Sequence, residues 1–515
     1  MIIIVHQNKI VVKVLDTNLH VVDNTCIGHT ITKSIVTLSK NFSDELIIWC
    51  NESYLKNLNI AEFSTIFHHR RILATYNPSE HTFLPKQIGY VERSFVLKIN
   101  KRVTYSTWFM DSSVGGIYAE VIISLEEHLN FNVDFDYFLN SLAKRAIAEG
   151  LFCYSEPKLL LESTKPITNT VQASTYVLFK FVKQHYKWVW VFFLFLSYLI
   201  YERKLKVLSL LKALFYKQLC ADFDLEQIPV KSNRKVITKK EIDVIIPTIG
   251  RKPYLYDVLK DLSNQTLKPK RIIIIEQNPL EGSISELDYL SNEDWPFKIK
   301  HIFTHQAGVC NARNIALEHI ENDWVFLADD DIRINLDFFE KSFEGITAYG
   351  NSIINFACLQ PNQSQIYLKI HQTSVFGSGS SMLKNQVLKV LKFNTAYEHG
   401  FGEDNDFGMQ IRNKGYDVIY FPNIKITHLK APVGGYRTKM KQPWENEKFQ
   451  PKPSPTIQLL YQSYFTKAQI LGYKLLLGLR SYKNSATKNP FKYIRIYKAQ
   501  WQQSEYWCHK LKSQN

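Results

Sequence analysis

The sequence predicts an α/β chain: a mostly parallel sheet over residues 241–437, a smaller α/β or α+β domain before it, and a C-terminal helical segment after it. Three observations carry this. From Glu241 onward, apolar runs that end in polar or turn residues ("IDVIIPT", "RIIIIEQ", "WVFLADDD") alternate with amphipathic stretches such as "YLYDVLKDLSNQ" and "NARNIALEHI". That alternation is the signature of βαβ units and a parallel sheet. Residues 1–165 instead mix strand-like runs ("ELIIWCN", "RSFVLKI", "YAEVIIS") with the helix-like "FLNSLAKRAIAEG". The third observation is a proline-rich linker, "KQPWENEKFQPKPSP", which opens the final part, 438–515. A helix follows near Thr456, with Ser454 placed to cap it and Pro455 at its first position. Leu460, Tyr464, Ala468, Leu471 and Leu475 give it one apolar stripe.

At 515 residues, with 45% hydrophobic and 22% charged residues, the chain has enough apolar surface for sizeable cores. Lys and Arg outnumber Asp and Glu by 63 to 48, which suggests an anionic partner: nucleic acid, a phosphorylated substrate or an acidic membrane surface. No zinc-finger, RNP-like or basic-helix pattern appears, so no nucleic-acid partner is expected. The seven cysteines are scattered, without CxxC spacing, and fit a reduced, cytoplasmic chain. The opening "MIIIVHQNKIVVKVLD" has no basic n-region or small-residue cleavage site and reads as two short strands joined by a turn.

Residues 166–240 form a helical linker with one conspicuous segment. From Trp188 to Tyr201 no charge interrupts the chain, while Lys187 precedes the run and Glu202, Arg203 and Lys204 follow it. The run is shorter than the ~20 residues of a spanning helix. Its aromatic and basic flanks suit a helix lying in a membrane interface, and a buried helix packing the two domains together suits it equally.

The chemistry gathers after residue 241. In "VFLADDDIRI", Asp329, Asp330 and Asp331 are adjacent carboxylates that repel one another and need solvent, a cation or hydrogen-bond donors nearby. Ligands of doubly wound sheets collect beyond the carboxyl ends of the strands. Both Glu276 and the aspartate run fall there. Asp329 and Asp331 form a D-x-D pair of hard oxygen ligands suited to Mg²⁺ or Mn²⁺. Pro247, Thr248, Gly250 and Arg251 shape the turn after the first strand of the sheet. In "GVCNARN", Gly308 permits close backbone approach, Arg313 can pair with phosphate or with the acids, and Asn314 can cap the turn. In "GFGED", Glu403 and Asp404 open a helix, where backbone N–H groups favour carboxylates, and Asp406 is a nearby rival. "FGSGSSML" offers Gly377, Gly379 and Ser380 as a flexible turn.

Together, "DVIIPTIGRKPYLYDVLKDLSNQTLKPKRIIIIEQNP", "GVCNARNIAL", "FLADDDI" and "GFGEDNDFGMQIRNKGYDVIYFPNIKITH" resemble a family 2 glycosyltransferase of the GT-A fold over about residues 241–437. The resemblance implies a Rossmann-like nucleotide-sugar-binding domain and inverting transfer from a nucleoside-diphosphate sugar to a hydroxyl. By resemblance, Asp404 is the general base and Glu403 orients it or touches the acceptor. Asp331 is the direct metal ligand, with Asp329 beside it and His428 completing the metal or diphosphate site. Asp330 contacts the ribose or orients its neighbours. Pro247, Thr248, Arg251, Glu276 and Arg313 surround the nucleotide, Glu276 standing where the family usually has an Asp. The chain departs from the family at Gln410, where an Arg is common. Arg412, two residues on, faces another way.

The expected enzyme is a metal-assisted, hexosyltransferase-like inverting glycosyltransferase of surface polysaccharide or glycolipid synthesis. It would use Mg²⁺ or Mn²⁺, a nucleotide-sugar donor and a glycan or lipid-linked acceptor. The expected location is the cytoplasm, with peripheral contact at the inner face of the cell membrane. Rival readings are a nucleotidyltransferase of sugar activation and a non-catalytic, membrane-associated assembly protein. For residues 1–165, the expectation is a degenerate transferase-like, acceptor-binding or docking domain.

Overall fold

The computed structural model describes residues 1–79, 81–162, 164–166, 172–221, 223–398, 400–432 and 442–513. Both the end of the expected sheet domain at 437 and the start of the linker at 438 lie outside the described residues.

The described residues build two sheets. The first contains β1 (Ile2–Gln7), β2 (Ile10–Leu15), β3 (Leu46–Asn51), β4 (Ile72–Tyr76), β5 (Tyr105–Ser106), β6 (Val114–Tyr118) and β7 (Phe152–Ser155), in the order β2-β1-β3-β6-β4-β7-β5. β1 runs parallel to β3, β4 runs parallel to β7, and β6 lies antiparallel between β3 and β4. The N-terminal hairpin forms as its sequence predicts. Its turn is Asn8–Lys9, both at positive φ, the two-residue geometry whose twist matches that of the flanking strands.

Two strand-like runs are not strands. In "RSFVLKI" only a 3₁₀ turn forms, Phe95–Leu97. The backbone here is satisfied by side chains instead of a ladder: Glu92 accepts from the Arg93 and Ser94 N–H groups, and the Gln469 amide donates to the Ser94 carbonyl. In "YAEVIIS" the strand ends at Tyr118, and Ala119–Ser124 is a helix whose Ala119, Val121 and Ile122 are buried. β-Branched residues favour strands only weakly, and here burial against the Ile31–Asn41 helix overrides them.

The Trp188–Tyr201 run is neither fully buried nor fully free. It forms a helix, Val189–Ser197, that continues into a π-helical turn, Tyr198–Glu202. Val191, Leu194 and Tyr198 join the core beneath the first sheet, whereas Trp188, Phe192, Leu199 and Ile200 face out. Among the described residues no helix is long and apolar enough to cross a membrane.

The second sheet contains β8 (Ile242–Thr248), β9 (Arg271–Gln277), β10 (Lys298–Thr304), β11 (Trp324–Ala328), β12 (Ile332–Ile334), β13 (Ile353–Leu359), β14 (His371–Gln372), β15 (Ser380–Lys384) and β16 (Ile419–His428). Its order is β10-β9-β8-β11-β15-β13-β16-β12, with β14 on β16. β8 to β11 are mutually parallel, as the βαβ pattern predicts. The helices Lys252–Ser263 and Val309–Leu317 make crossovers. The other half is mixed: β15 is antiparallel to β11 and β13, and β16 is parallel to β13. Every residue of β11 is buried. Trp324 and Phe326 pack on one face and Val325 and Leu327 on the other, which is why this strand reads as a continuous apolar run.

The two sheet units touch through an apolar and a polar seam; Phe152 packs on Tyr349 with ring centroids 5.4 Å apart. Gln372 accepts from the Cys153 N–H at 2.6 Å, and Asp417 accepts from Tyr154 at 2.9 Å and from Gln372 at 2.7 Å.

Ser454 caps the helix Pro455–Tyr464, with Pro455 in its first turn as expected. The single apolar stripe is broken, however. The chain leaves the helix at Phe465 and starts another, Lys467–Lys483, through a Thr466/Gln469 capping box. Leu460 and Tyr464 therefore pack under the second sheet, while Ala468 and Leu471 pack against the first unit.

Candidate active site

The aspartate run is the connection between β11 and β12. β11 pairs in the centre of the sheet, but β12 crosses to its far edge and pairs with β16 in the register Ile332–His428. That register sets His428 beside Asp331, with Nε2 3.2 Å from Oδ1. One ligand atom each from Asp329, Asp331 and His428 lies within 4.8 Å of the others. Asp331 also accepts from the Ala431 N–H at 2.8 Å. Burial disfavours its charge, yet His428, this N–H and Arg251 together hold its carboxyl below the ordinary range. In turn Asp331 raises the His428 imidazole.

Asp330 turns the other way. Its Oδ2 accepts from the Thr248 hydroxyl and its Oδ1 from Arg251, both at 2.6 Å, and it is buried. Burial pushes its carboxyl up to about 6, with Arg251 and Thr248 opposing. Each oxygen thus accepts from one of these two donors. Arg251 follows the β8 turn and also reaches Asp331 at 3.4 Å. Pro247 is buried in β8, and the ladder places Thr248 opposite Glu276. Glu276 lies at the same sheet edge, accepting from the Glu286 N–H at 3.2 Å and held 2.8 Å from His301 Nε2. These contacts and Ser285 outweigh burial and keep it below the ordinary carboxylate range.

The helix Val309–Leu317 brings Arg313 up from below. Its Nη2 is 3.2 Å from Asp329 Oδ1, the side chain is buried, and Phe393 lies under the guanidinium at 5.4 Å. Gly308, at φ +153°, meets a carboxylate: a Cβ here would sit 2.4 Å from Glu398 Cδ. Glu398 accepts from the Cys310 and Asn311 N–H groups and so covers the helix N-terminus. Asn314 does not cap the turn. It sits within the helix and exchanges two hydrogen bonds with the Phe393 backbone.

Asp404 is the second residue of the helix Glu403–Asn413, and its Oδ1 accepts from the Ser378 N–H at 3.0 Å. Burial raises its carboxyl, with Arg313 and Ser378 opposing. Gly379, one residue on, packs so closely on Asp329 that a Cβ would lie 2.2 Å from Oδ2. The Gly377–Ser380 turn thus bridges Asp404 and Asp329. Asp329, Asp404 and Glu403 all act on Arg313, and the Cys358 thiol, pushed up to about 12 mainly by burial, also feels Asp329, Asp331 and Asp404.

Asp406 is occupied elsewhere, accepting from Gln410 at 2.7 Å and from Tyr464 at 2.8 Å. Gln410 therefore braces the helix, and Arg412 lies buried against the Thr373 carbonyl, away from the acids. Of the residues around the site, Glu398, Ser378 and Cys358 escape sequence reasoning. Ser378 stands in "FGSGSSML" between the residues singled out there, Glu398 and Cys358 stand in no motif, and each reaches the acids only through the fold.

Five carboxylates (Asp329, Asp330, Asp331, Glu403, Asp404) thus face two guanidinium groups, Arg251 and Arg313. The excess negative charge, with oxygen and imidazole donors half-exposed at Asp329 and His428, fits a hard divalent cation. Asp329, Asp331 and His428 are the residues that would hold it.

Residues 243–403 match the family model described as glycosyl transferase family 2. Over this stretch the chain resembles a family 2 glycosyltransferase. It is similar to an uncharacterized glycosyltransferase of Haemophilus influenzae, 25% identical over 166 residues, which are 30% of this chain and 65% of the relative. It is also similar to the glycosyltransferase GlyA of Streptococcus pneumoniae, 24% identical over 143 residues, 26% of this chain and 19% of that one. The chain thus spans less than two thirds of each of these relatives. Among solved structures, S. aureus TarS 1–349 in complex with UDP-GlcNAc aligns with a TM-score of 0.34 and 15% identity, over 52% of this chain and 72% of that one. The same protein in complex with UDP aligns at 0.31 and 17%, over 37% and 61%.

Proposed function

We propose that the chain transfers a hexose from a nucleoside-diphosphate sugar to a hydroxyl of a glycan or lipid-linked acceptor, with inversion at the anomeric carbon. The transfer would serve surface polysaccharide or glycolipid synthesis at the cytoplasmic face of the cell membrane. The observation that supports the reading is that the Asp329–Asp331–His428 group and Asp404 gather around Arg313.

In this reading Asp404 takes the proton from the acceptor hydroxyl as the oxygen attacks the anomeric carbon. Burial raises the basicity of its carboxylate, and the Ser378 N–H fixes the orientation of one oxygen. The acceptor oxygen enters as the nucleoside diphosphate leaves from the opposite side of the sugar, the geometry of a single displacement. Mg²⁺ or Mn²⁺ held by Asp329, Asp331 and His428 would neutralise charge on the departing diphosphate. Arg251 and Arg313 hold the acids apart in fixed positions and present cationic edges to the phosphates. Thr248, Glu276 and Asp330 line the nucleotide side of the sheet edge.

The test is a screen of UDP-, GDP- and dTDP-sugars with Mn²⁺ or Mg²⁺, reading release of nucleoside diphosphate. The expected result is metal-dependent release with one donor class, abolished by Asp331→Ala and by Asp404→Asn. If donors neither bind nor turn over at any metal concentration, the reading fails and a non-catalytic assembly role takes its place.

A further inference from the structure

The apolar segment of the linker presents a face that nothing among the described residues covers. From the helix Val189–Ser197 and its π-helical extension, Trp188, Phe192, Leu199 and Ile200 point outward. The next helix, Val207–Leu214, is inverted relative to an ordinary surface helix. Its buried residues are Ser209 and Ala213, whereas Leu208 is 67% exposed and Leu211 also faces out. At either end of it, Leu205 is 68% and Phe215 89% exposed. A water-facing helix turns its apolar stripe inward, so this one is built for a surface other than water. Contiguous apolar patches of this kind mark interaction sites.

Charge identifies the partner. Between Lys187 and Lys217 the chain carries Lys187, Arg203, Lys204, Lys206, Lys212 and Lys217, and one acid, Glu202. That acid is turned inward, accepting from Tyr90 at 3.0 Å and from Gln87 at 3.2 Å. Tyr201 stacks on Tyr90 and donates to the Leu471 carbonyl, so the base of the hairpin is fixed to the protein body. Exposed aromatic and aliphatic side chains ringed by cations match the interface of an anionic bilayer: rings and aliphatic chains enter the headgroup boundary and lysines pair with lipid phosphates. Each helix is far shorter than a bilayer is thick, so the hairpin lies in the interface without crossing it.

We infer that residues 188–216 are a membrane-docking wedge that seats on anionic lipid through Trp188, Phe192, Leu208 and Phe215, with Lys204 and its neighbouring cations reading the headgroup charge. This deepens the membrane location proposed above and is independent of the chemistry at Asp331 and Asp404.

The test is flotation of the full chain with phosphatidylcholine vesicles, with and without phosphatidylglycerol, beside light scattering of the protein alone. The wild-type chain is expected to float with the anionic vesicles and to be released by high salt. Leu208→Glu with Phe215→Glu should lower that binding by at least ~10-fold, and Lys187→Glu with Lys204→Glu should lower it while leaving weak binding to neutral lipid. All four positions are exposed, and donor hydrolysis by these variants should match wild type, which separates this outcome from failure of the transferase reading. Wild-type protein that stays with the soluble fraction for both vesicle types overturns the inference. So does a dimer that Leu208→Glu with Phe215→Glu dissolves, which would give the face to a second copy of the chain.

Discussion

Both sheets gather acids at the carboxyl ends of their parallel strands, and they treat them in opposite ways. In the first unit, His6 at the end of β1, Asn77 after β4, and Asp111 and Ser112 before β6 meet Asp134 and Asp136 at the start of the Phe135–Ala146 helix. Lys9 lies 2.7 Å from Asp134 and 2.5 Å from Asp136. Asp136 also accepts from the Ser112 N–H, Asp111 accepts from Asn77 and from the Ser113 N–H, and His6 Nε2 meets the Ser112 carbonyl. Every acid has an internal partner. At the second sheet, ligand atoms of Asp329, Asp331 and His428 lie within 4.8 Å of one another, with Arg251 and Arg313 among the acids and Asp404 near Arg313. The same residue types at the same place in two α/β units make a closed hydrogen-bonded network in one case and, in the other, an open site where three ligand atoms converge. Convergence of three ligand atoms, not the presence of acids, sets the second cluster apart from the first.

The largest expected effect is at the open cluster. Under the proposed function, Asp331→Ala should bring metal-dependent turnover down to background while the chain still folds, since the residue would hold the metal. An unfolded Asp331→Ala protein would instead place this acid in the same structural class as Asp136.

Asp404→Asn should lower kcat by about 10²–10⁴-fold, the usual worth of a positioned base. It should also raise stability at neutral pH. The folded carboxyl titrates above its unfolded value, so ionisation costs stability, and that cost is present once pH has risen through the folded value. Calorimetry beside kinetics reads both. In the wild type, the same raised value should place the acid limb of the kcat/KM profile above the ordinary carboxylate range.

At the closed cluster the ranking reverses. Lys9→Met should cost roughly 1–3 kcal/mol, because it strands the largely buried Asp136 beside Asp134, while kcat on the native protein stays unchanged. Urea unfolding measures this. The smallest effect belongs to Asp111→Asn. Burial and Asp136 push the Asp111 carboxyl up to about 6, so its favourable contribution is present at low pH and lost as pH rises through about 6. The variant should melt a few degrees higher than wild type at pH 7.5 and no higher at pH 4.

The contrast also explains what could be read from the chain. The parallel half of the second sheet was legible because β8, β9 and β11 are buried on both faces and leave unbroken apolar runs, with chemistry at their ends. Asp329, Asp331 and His428 were legible as motif residues. Their meeting was not, because it depends on β12 leaving the centre of the sheet to pair with β16. The closed cluster was invisible, since His6, Asn77, Asp111 and Asp136 lie far apart in sequence and only the first fold joins them. Local preference misled at "YAEVIIS", where tertiary burial made a helix of β-branched residues. The break at Phe465 was legible in principle: Thr466-x-x-Gln469 is a capping box, outvoted by an apolar stripe that ran through it.

The C-terminal helices carry a consequence for how the protein comes into being. Tyr464 donates to Asp406 in the helix that bears Asp404, Thr456 packs on Gly400 just ahead of it, and Gln469 in the following helix bonds the backbone of Glu92 and Ser94 in the first unit. These braces follow both sheets in the chain. A nascent chain can therefore complete the first sheet while the Asp404 helix still lacks its brace. Under the proposed function, a chain still being made lacks the brace on its candidate base until these helices fold back.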